Sequence, residues 1–283
     1  MNKTSIEWVK NPDGTQGYTW NPITGCLNGC DYCYARKLAN GRLKTRYLAN
    51  KNIAEPDSRI DFDMGANGIF TNPFYPRFWP ERLEEIKIED HPRVGWISNV
   101  YGKGIFVCDM SDLFGIGIPE EWTQRVMAQI RLYKQHLFYL LTKQPQNLIK
   151  WSPFPDNCWV GVSATDSTMY LNAIEYLTII EAKVKYISFE PLLDWVMVGR
   201  GDWDYTLSII NWVIIGAQTR PYKPPQIEWV KEIVDACDAA GIPVFLKDNL
   251  KPLIEKAVMA NAQWAAREWV QCKYPILRQE LPR

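Results

Sequence analysis

The stretch Gly104-Ile105-Phe106-Val107-Cys108-Asp109-Met110-Ser111-Asp112 decides how the rest of the chain is read. Its first half is a continuous apolar run and reads as a buried strand. Its second half is a polar stretch lying where that strand ends. A helix is predicted next, with Pro119 at its start and Trp122, Val126, Met127, Ile130 and Tyr133 on one face. The strand His136-Leu137-Phe138-Tyr139-Leu140-Leu141 follows and again runs out into polar residues, Thr142-Lys143.

The same pattern extends along the chain. Trp159-Val160-Gly161-Val162 ends at Ser163, and a helix containing Leu171, Ile174 and Leu177 leads to Val184-Lys185-Tyr186-Ile187-Ser188-Phe189, which ends at Glu190-Pro191. Trp212-Val213-Ile214-Ile215 ends at Gly216-Ala217-Gln218. A helix around Ile227, Val230, Ile233, Val234 and Cys237 stops at Gly241, a normal C-terminal glycine, before the strand Pro243-Val244-Phe245-Leu246. An earlier strand is expected around Tyr18–Ile23. Apolar strands separated by helices indicate a parallel sheet covered on both faces. Polar strand ends match the C-terminal rim where parallel barrels keep their chemistry. The expected fold is α/β, a full or partial TIM-like (βα) barrel, with a doubly wound open sheet as the alternative. One domain is expected over residues 1–283, with a polar, irregular insertion at about 50–67. A helical C-terminal extension is expected over about 250–283, with Ala257, Val258, Ala262 and Trp264 among its apolar positions.

The chain has 283 residues, enough to bury a substantial core. Lys+Arg and Asp+Glu both total 32, so no global charge points to nucleic acid. A local basic stretch, Arg36, Lys37, Arg42, Lys44 and Arg46, follows three closely spaced cysteines and reads as a solvated helix face or as a binding patch. The N-terminal MNKTSIEWVKNPDG lacks the apolar core of a signal peptide, and no apolar run reaches the roughly 18 residues that span a bilayer. A soluble cytoplasmic protein with no membrane partner is expected. Three of the seven cysteines fall within eight residues, which in a reducing compartment suggests metal rather than disulfides.

Those three stand in Gly25-Cys26-Leu27-Asn28-Gly29-Cys30-Asp31-Tyr32-Cys33-Tyr34-Ala35, spaced C-x3-C-x2-C, after the first predicted strand and before a predicted helix. Cys26, Cys30 and Cys33 on one short loop can hold three corners of a [4Fe–4S] cubane and leave the fourth iron open. The other metal reading is a zinc site, which needs a fourth ligand such as Cys108 brought close in space. His91 and His136 are far from the loop in sequence.

This loop, with aromatic Tyr32 directly before its last cysteine, resembles the signature of the radical S-adenosylmethionine (SAM) superfamily. The ordered segments TWNPITGC, CYA, FVCDMSDLF, LLTKQP, WVGVSAT, ISFEPLL and WVIIGAQT are similar to a phage-associated branch of that superfamily with no assigned function. They run from about Thr19 to Thr219. Members of the branch commonly have a longer gap between the first two cysteines and a different segment at Phe245-Leu246-Lys247-Asp248, so no role is carried over to Lys247 or Asp248. The resemblance implies a [4Fe–4S] cluster, S-adenosyl-L-methionine as cofactor, and a 5′-deoxyadenosyl radical that abstracts a substrate hydrogen. It also implies an external one-electron donor such as flavodoxin or ferredoxin. For substrate it points to a nucleobase, nucleotide or DNA, with a small metabolite or peptide as the alternative. A protein stabilised by zinc or by an iron–sulfur cluster, without catalysis, is the competing reading.

The resemblance also proposes cofactor contacts, each with a plainer reading beside it. Asp109-Met110-Ser111 occupies the place of the turn that meets the SAM amino group, although the superfamily's glycine-glycine-glutamate is absent, and Asp109 also suits a helix or loop cap. Ser163 stands where a polar residue meets the SAM carboxylate or ribose, or it makes a local turn bond. Glu190 is placed to bind ribose hydroxyls or a cationic substrate group, or to form a rim salt bridge. Gly216 allows close approach to adenine, and Gln218 either bonds a ligand or faces solvent. Tyr32 contacts adenine and shields the cluster, or simply packs. Cys108, Cys158, Cys237 and Cys272 show no second cluster spacing and read as core thiols. No residue is assigned as catalytic acid or base.

Overall fold

The computed structural model describes residues 1–55, 65–87, 102–196, 207–259 and 277–282. The chain divides into two compact units, Met1–Trp159 and Val160–Arg283. In the first, β1 (Asn2–Lys3) pairs antiparallel with β2 (Tyr18–Trp20). β2 runs parallel to β5 (Gly104–Val107), and β5 parallel to β6 (Leu137–Thr142). A small antiparallel ladder joins β3 (Ile23–Thr24) to β4 (Arg77–Phe78). Helices α1 (Tyr34–Asn40), α2 (Lys44–Ala49) and α3 (Gly65–Thr71) precede β4, and α4 (Glu120–Leu132) links β5 to β6.

β7 (Cys158–Ser163) carries the chain into the second unit, where α5 (Ser167–Ile179) leads to β8 (Val184–Phe189). The strand order there is β7, β8, β9 (Trp212–Ile215), β12 (Val244–Leu246), with β8–β9 and β9–β12 parallel. A hairpin of β10 (Gln218–Thr219) and β11 (Tyr222–Lys223) follows β9. The helix Ile227–Ala240 then returns the chain to β12, ending at Gly241, whose φ of 69° is left-handed.

The strand–helix alternation read from the sequence is present, and the fold is mixed α/β with mostly parallel strands. The closed-barrel version of the expectation is not met: among the described residues no pairing closes the sheet. The physical reason lies at the outer strands. In the first unit, β1 covers the outer edge of β2 with antiparallel bonds. In the second, β12 is covered by residues 277–282, through Leu246 N–H to Arg278 O, Glu280 N–H to Val244 O, and an antiparallel bridge between Phe245 and Gln279. An edge so covered has its donors and acceptors satisfied. The expected helical extension is corrected at the same place. It is helical over Lys251–Met259 but extended at residues 277–282, while Ala262 and Trp264 lie outside the described residues. Of the insertion at 50–67, residues 56–64 lie outside them too. The single expected strand Tyr18–Ile23 is two, separated by Asn21-Pro22, because proline cannot donate to a ladder.

In the first unit the N-terminal ends of β5 and β6 are sealed. Trp8 is buried against Phe106 and Tyr139, and the Tyr139 hydroxyl donates to Lys10 O at 2.8 Å. Gly104 permits this approach, since a Cβ there would stand 1.8 Å from Lys10 O. The polar C-terminal ends of these strands lie at the opposite end.

His136, just before β6, is buried and accepts the Lys103 N–H at Nδ1 (3.0 Å), while Nε2 lies 3.0 Å from Ile86 O. An acceptor on one nitrogen and a donor on the other define the neutral ring. Burial lowers its pKa below the ordinary 6.5, with Lys103 acting in the same direction. A lowered histidine pKa means that the unfolded chain binds the proton more tightly. The stability it confers is present above about pH 6.5 and is lost as pH falls toward the folded value. Urea unfolding of wild type should therefore weaken between pH 7 and pH 5.5 more than that of His136→Asn, and equal weakening would refute this role.

Candidate metal centre and cofactor site

The cysteine loop is built between β3 and α1. Gly25 has φ of 87°, and a Cβ there would fall 2.4 Å from Tyr75 O, so glycine alone fits. Its amide donates to Met110 O at 2.9 Å, and its carbonyl accepts the Ser111 hydroxyl at 2.5 Å. Cys26 N–H donates to Phe74 O at 3.0 Å. At the far end, Cys33 N–H closes a turn onto Cys30 O, and Cys33 caps α1, its Sγ accepting Arg36 N–H at 3.3 Å. Cys26 Sγ accepts Asn28 N–H at 3.4 Å. Backbone N–H groups aimed at sulfur favour the thiolate that a metal needs.

All three cysteines are half-buried and free of disulfides. Burial pushes Cys26 up to about 12, and the charges of Asp112, Cys30 and Cys33 push the same way against the Asn28 N–H. The three sulfurs thus feel one another, and a cation between them reverses that cost. Among the described residues, no group of three or more His, Cys, Asp or Glu side chains converges on a single ion position. A cubane asks something different, because each thiolate binds its own iron. Cys108, the sequence candidate for a fourth zinc ligand, is buried at the end of β5 with a left-handed φ of 60°. Burial raises its pKa.

Behind the loop lies a polar brace that sequence reading missed. Asp112 is buried; its carboxylate accepts Asn28 Nδ2 (2.9 Å), Lys143 N–H (2.9 Å) and Phe114 N–H (3.1 Å). Gln144 Nε2 donates to Asn28 Oδ1 at 3.0 Å. The cysteine loop is thereby tied to the C-terminal ends of β5 and β6. The signal was legible only as polar residues at strand ends, because nothing local says that Asn28 meets residues more than eighty positions away.

Asp109 and Ser111 are brought to the loop. Asp109 accepts from Asn21 Nδ2 and from Tyr34, whose hydroxyl lies 2.7 Å from its carbonyl and 3.2 Å from Oδ2. Burial raises its carboxyl pKa, while the Asn21 and Tyr34 bonds oppose this. The carbonyls of this turn already have partners: Cys108 O accepts Ser111 N–H, Asp109 O accepts Tyr34, and Met110 O accepts Gly25 N–H. Each keeps a second lone pair for a ligand. Tyr32 is half-buried with Lys143 Nζ 5.8 Å above its ring.

The second unit carries the remaining predicted residues. The Gly161 Cβ position abuts the Tyr186 ring, so alternation puts Gly161 and Ser163 on the face that carries Tyr186, Ser188 and Glu190. Gly216 belongs there too: a Cβ on it would meet Lys247 at 2.9 Å and Glu190 at 3.4 Å. Ser163, Glu190 and Gly216 thus share one face at strand ends. Glu190 is ion-paired with buried Lys247, so its rim salt bridge exists. The role of Gly216 in this structure is to make room for that lysine. Its amide donates to Phe189 O and its carbonyl accepts Leu192 N–H. Asn249 holds Ala217 by two bonds, at 2.7 and 3.0 Å. Gln218 is not part of the group: its Nε2 bonds Pro221 O within the β10–β11 hairpin. Ser188 Oγ is buried with no hydrogen-bond partner.

Fold and site define an α/β protein with mostly parallel strands and a braced three-cysteine loop opening its first helix. The chain belongs to the family described as "Protein of unknown function (DUF5131)", whose model matches residues 3–269. No curated protein and no solved structure matches it.

Proposed function

We propose that this protein is a radical SAM enzyme whose [4Fe–4S] cluster is held by Cys26, Cys30 and Cys33. The observation that carries the reading is the loop itself. It has three thiols and no fourth, amides directed at two sulfurs, and hydrogen bonds tying it to polar strand ends. When bound, the cluster supplies an electron that cleaves SAM to methionine and a 5′-deoxyadenosyl radical able to take a hydrogen atom from substrate. The chain's own part is to hold three irons and leave one open. Asp109 and Ser111 keep the adjoining turn against the loop. Tyr32 remains a proposed cofactor contact from the resemblance. In the second unit Ser163, Glu190 and Gly216 share a face on which Glu190 is paired with Lys247, and Gln218 stands apart from them. The electron comes from an external donor such as flavodoxin or ferredoxin. No helix among the described residues is long and apolar enough to cross a membrane.

Anaerobically purified protein should be brown, carry iron rather than zinc, and, once reduced, form 5′-deoxyadenosine from SAM slowly without substrate. Zinc in place of iron would establish the competing structural-site reading. Iron with no 5′-deoxyadenosine under several reductants would reduce the cluster to a structural role.

A further inference from the structure

Charge is distributed unevenly in this neutral chain. Between Asp31 and Glu55 there are six basic residues, Arg36, Lys37, Arg42, Lys44, Arg46 and Lys51, and no acidic one. This stretch holds α1, capped by Cys33, and α2, with Arg42 in the turn between them and Lys51 just beyond α2. Several basic side chains elsewhere are ion-paired: Lys87 with Glu84, Lys150 with Glu120, Lys231 with Asp235, Arg278 with Asp238 and Glu280. Arg42, Lys44 and Arg46 are exposed and have no carboxylate partner among the described residues. The buried Arg36 Nε has no hydrogen-bond partner, and its guanidinium lies 5.4 Å from the Phe74 ring centroid.

The apolar side of these helices is already used. Ala35, Ala39 and Tyr47 are buried with Phe74, Trp79 and Met110, and Leu38 and Leu43 pack against them. Arg46 is held over Trp79 at 5.8 Å. A helix that inserts into lipid presents apolar residues outward; this pair presents cations. One exposed aromatic stands among them. Tyr34 is 45% exposed, and its hydroxyl is tethered to Asp109 beside the cysteine loop. Cations that contact phosphates, together with an anchored ring on which a base stacks, are the two components of single-stranded nucleic-acid binding.

We propose that α1 and α2 form a nucleic-acid binding surface that leads a single-stranded or unpaired stretch to the cysteine loop. Binding stands on charge and shape alone. That the bound strand is also the substrate rests on the radical SAM reading. A base inside a duplex would first have to be flipped out, at roughly a few kcal/mol, so single strands are the better ligand.

The test is fluorescence anisotropy of labelled single-stranded DNA, single-stranded RNA and duplex DNA, titrated with the full chain at several salt concentrations. Wild type should bind single strands best, with affinity falling steeply as salt rises. Arg42→Glu with Lys44→Glu should weaken binding to every sequence, and Arg42→Gln or Lys44→Gln should each make the salt slope shallower by about 1. Tyr34→Ala should cost about tenfold, in line with stacking contributions of about 1–3 kcal/mol, whereas Tyr34→Phe keeps the ring and the affinity. Salt-insensitive binding, equal binding by the charge-reversed protein, or binding only to anionic lipid vesicles would each overturn the proposal. Cys30→Ala should still bind oligonucleotide. An iron-loaded protein that ignores nucleic acid defeats this inference alone, and a protein that binds nucleic acid but never takes up iron defeats the enzyme reading alone.

Discussion

Cys26→Ala, Cys30→Ala and Cys33→Ala should each emerge from anaerobic reconstitution with almost no cluster iron, whereas Cys237→Ala should load like wild type. On the proposed reading each loop cysteine supplies the thiolate for a different iron, and besides these three the loop holds no other thiol. Cys237 is buried within the helix Ile227–Ala240, where its loss removes one small apolar group. Iron per chain and the visible absorption band are the measurements. An apolar core cysteine whose loss matched that of the loop cysteines would mean that iron loading reports folding rather than ligation. Circular dichroism on the same samples guards against that reading, because the half-buried loop thiols should be replaceable without unfolding the protein.

Gly25→Ala should strongly destabilise the first unit. The left-handed backbone costs an ordinary residue about 1–2 kcal/mol. The new Cβ would also stand 2.4 Å from Tyr75 O and 2.7 Å from Phe74 O, both backbone atoms that cannot swing aside. Relief requires moving the segment that accepts Cys26 N–H, and with it Cys26. A loss of about 3 kcal/mol, or roughly 6–12 °C in Tm for a unit of this size, is expected in thermal unfolding of the metal-free protein. Gly29→Ala is the comparison. Its φ of 73° is also left-handed, but no atom lies within 4 Å of the added methyl. It should show only the backbone cost. Equal effects at the two positions would refute the steric argument.

Much of the fold was legible because its strands are apolar on both faces and its helices are not. Val184–Phe189 and Trp212–Ile215 fall where the sequence places them. α4 begins after Pro119 and buries Val126, Met127 and Ile130. The helix expected to contain Leu171, Ile174 and Leu177 is α5, which buries Tyr170, Ala173, Ile174 and Leu177 and leaves Leu171 exposed. The periodic signal was real, but one turn's choice between neighbours depends on what α5 packs against. Barrel closure was not legible, because it depends on what lies beside the outermost strands. Residues 277–282 had no local signature that set them against β12.

The sequence by itself determined the alternating α/β architecture, the polar strand ends and the spacing of Cys26, Cys30 and Cys33. These are local properties, set by hydrophobic period, by turn residues and by the reach of a short loop. Only the tertiary structure decided what surrounds them. Asn28 meets Asp112 and Gln144, Tyr34 meets Asp109, and Lys247 takes the space that Gly216 leaves and pairs with Glu190. Each of these contacts joins residues distant in sequence. Whether a carboxylate is buried, paired or open to a ligand is settled by neighbours that only the folded chain brings within hydrogen-bond range.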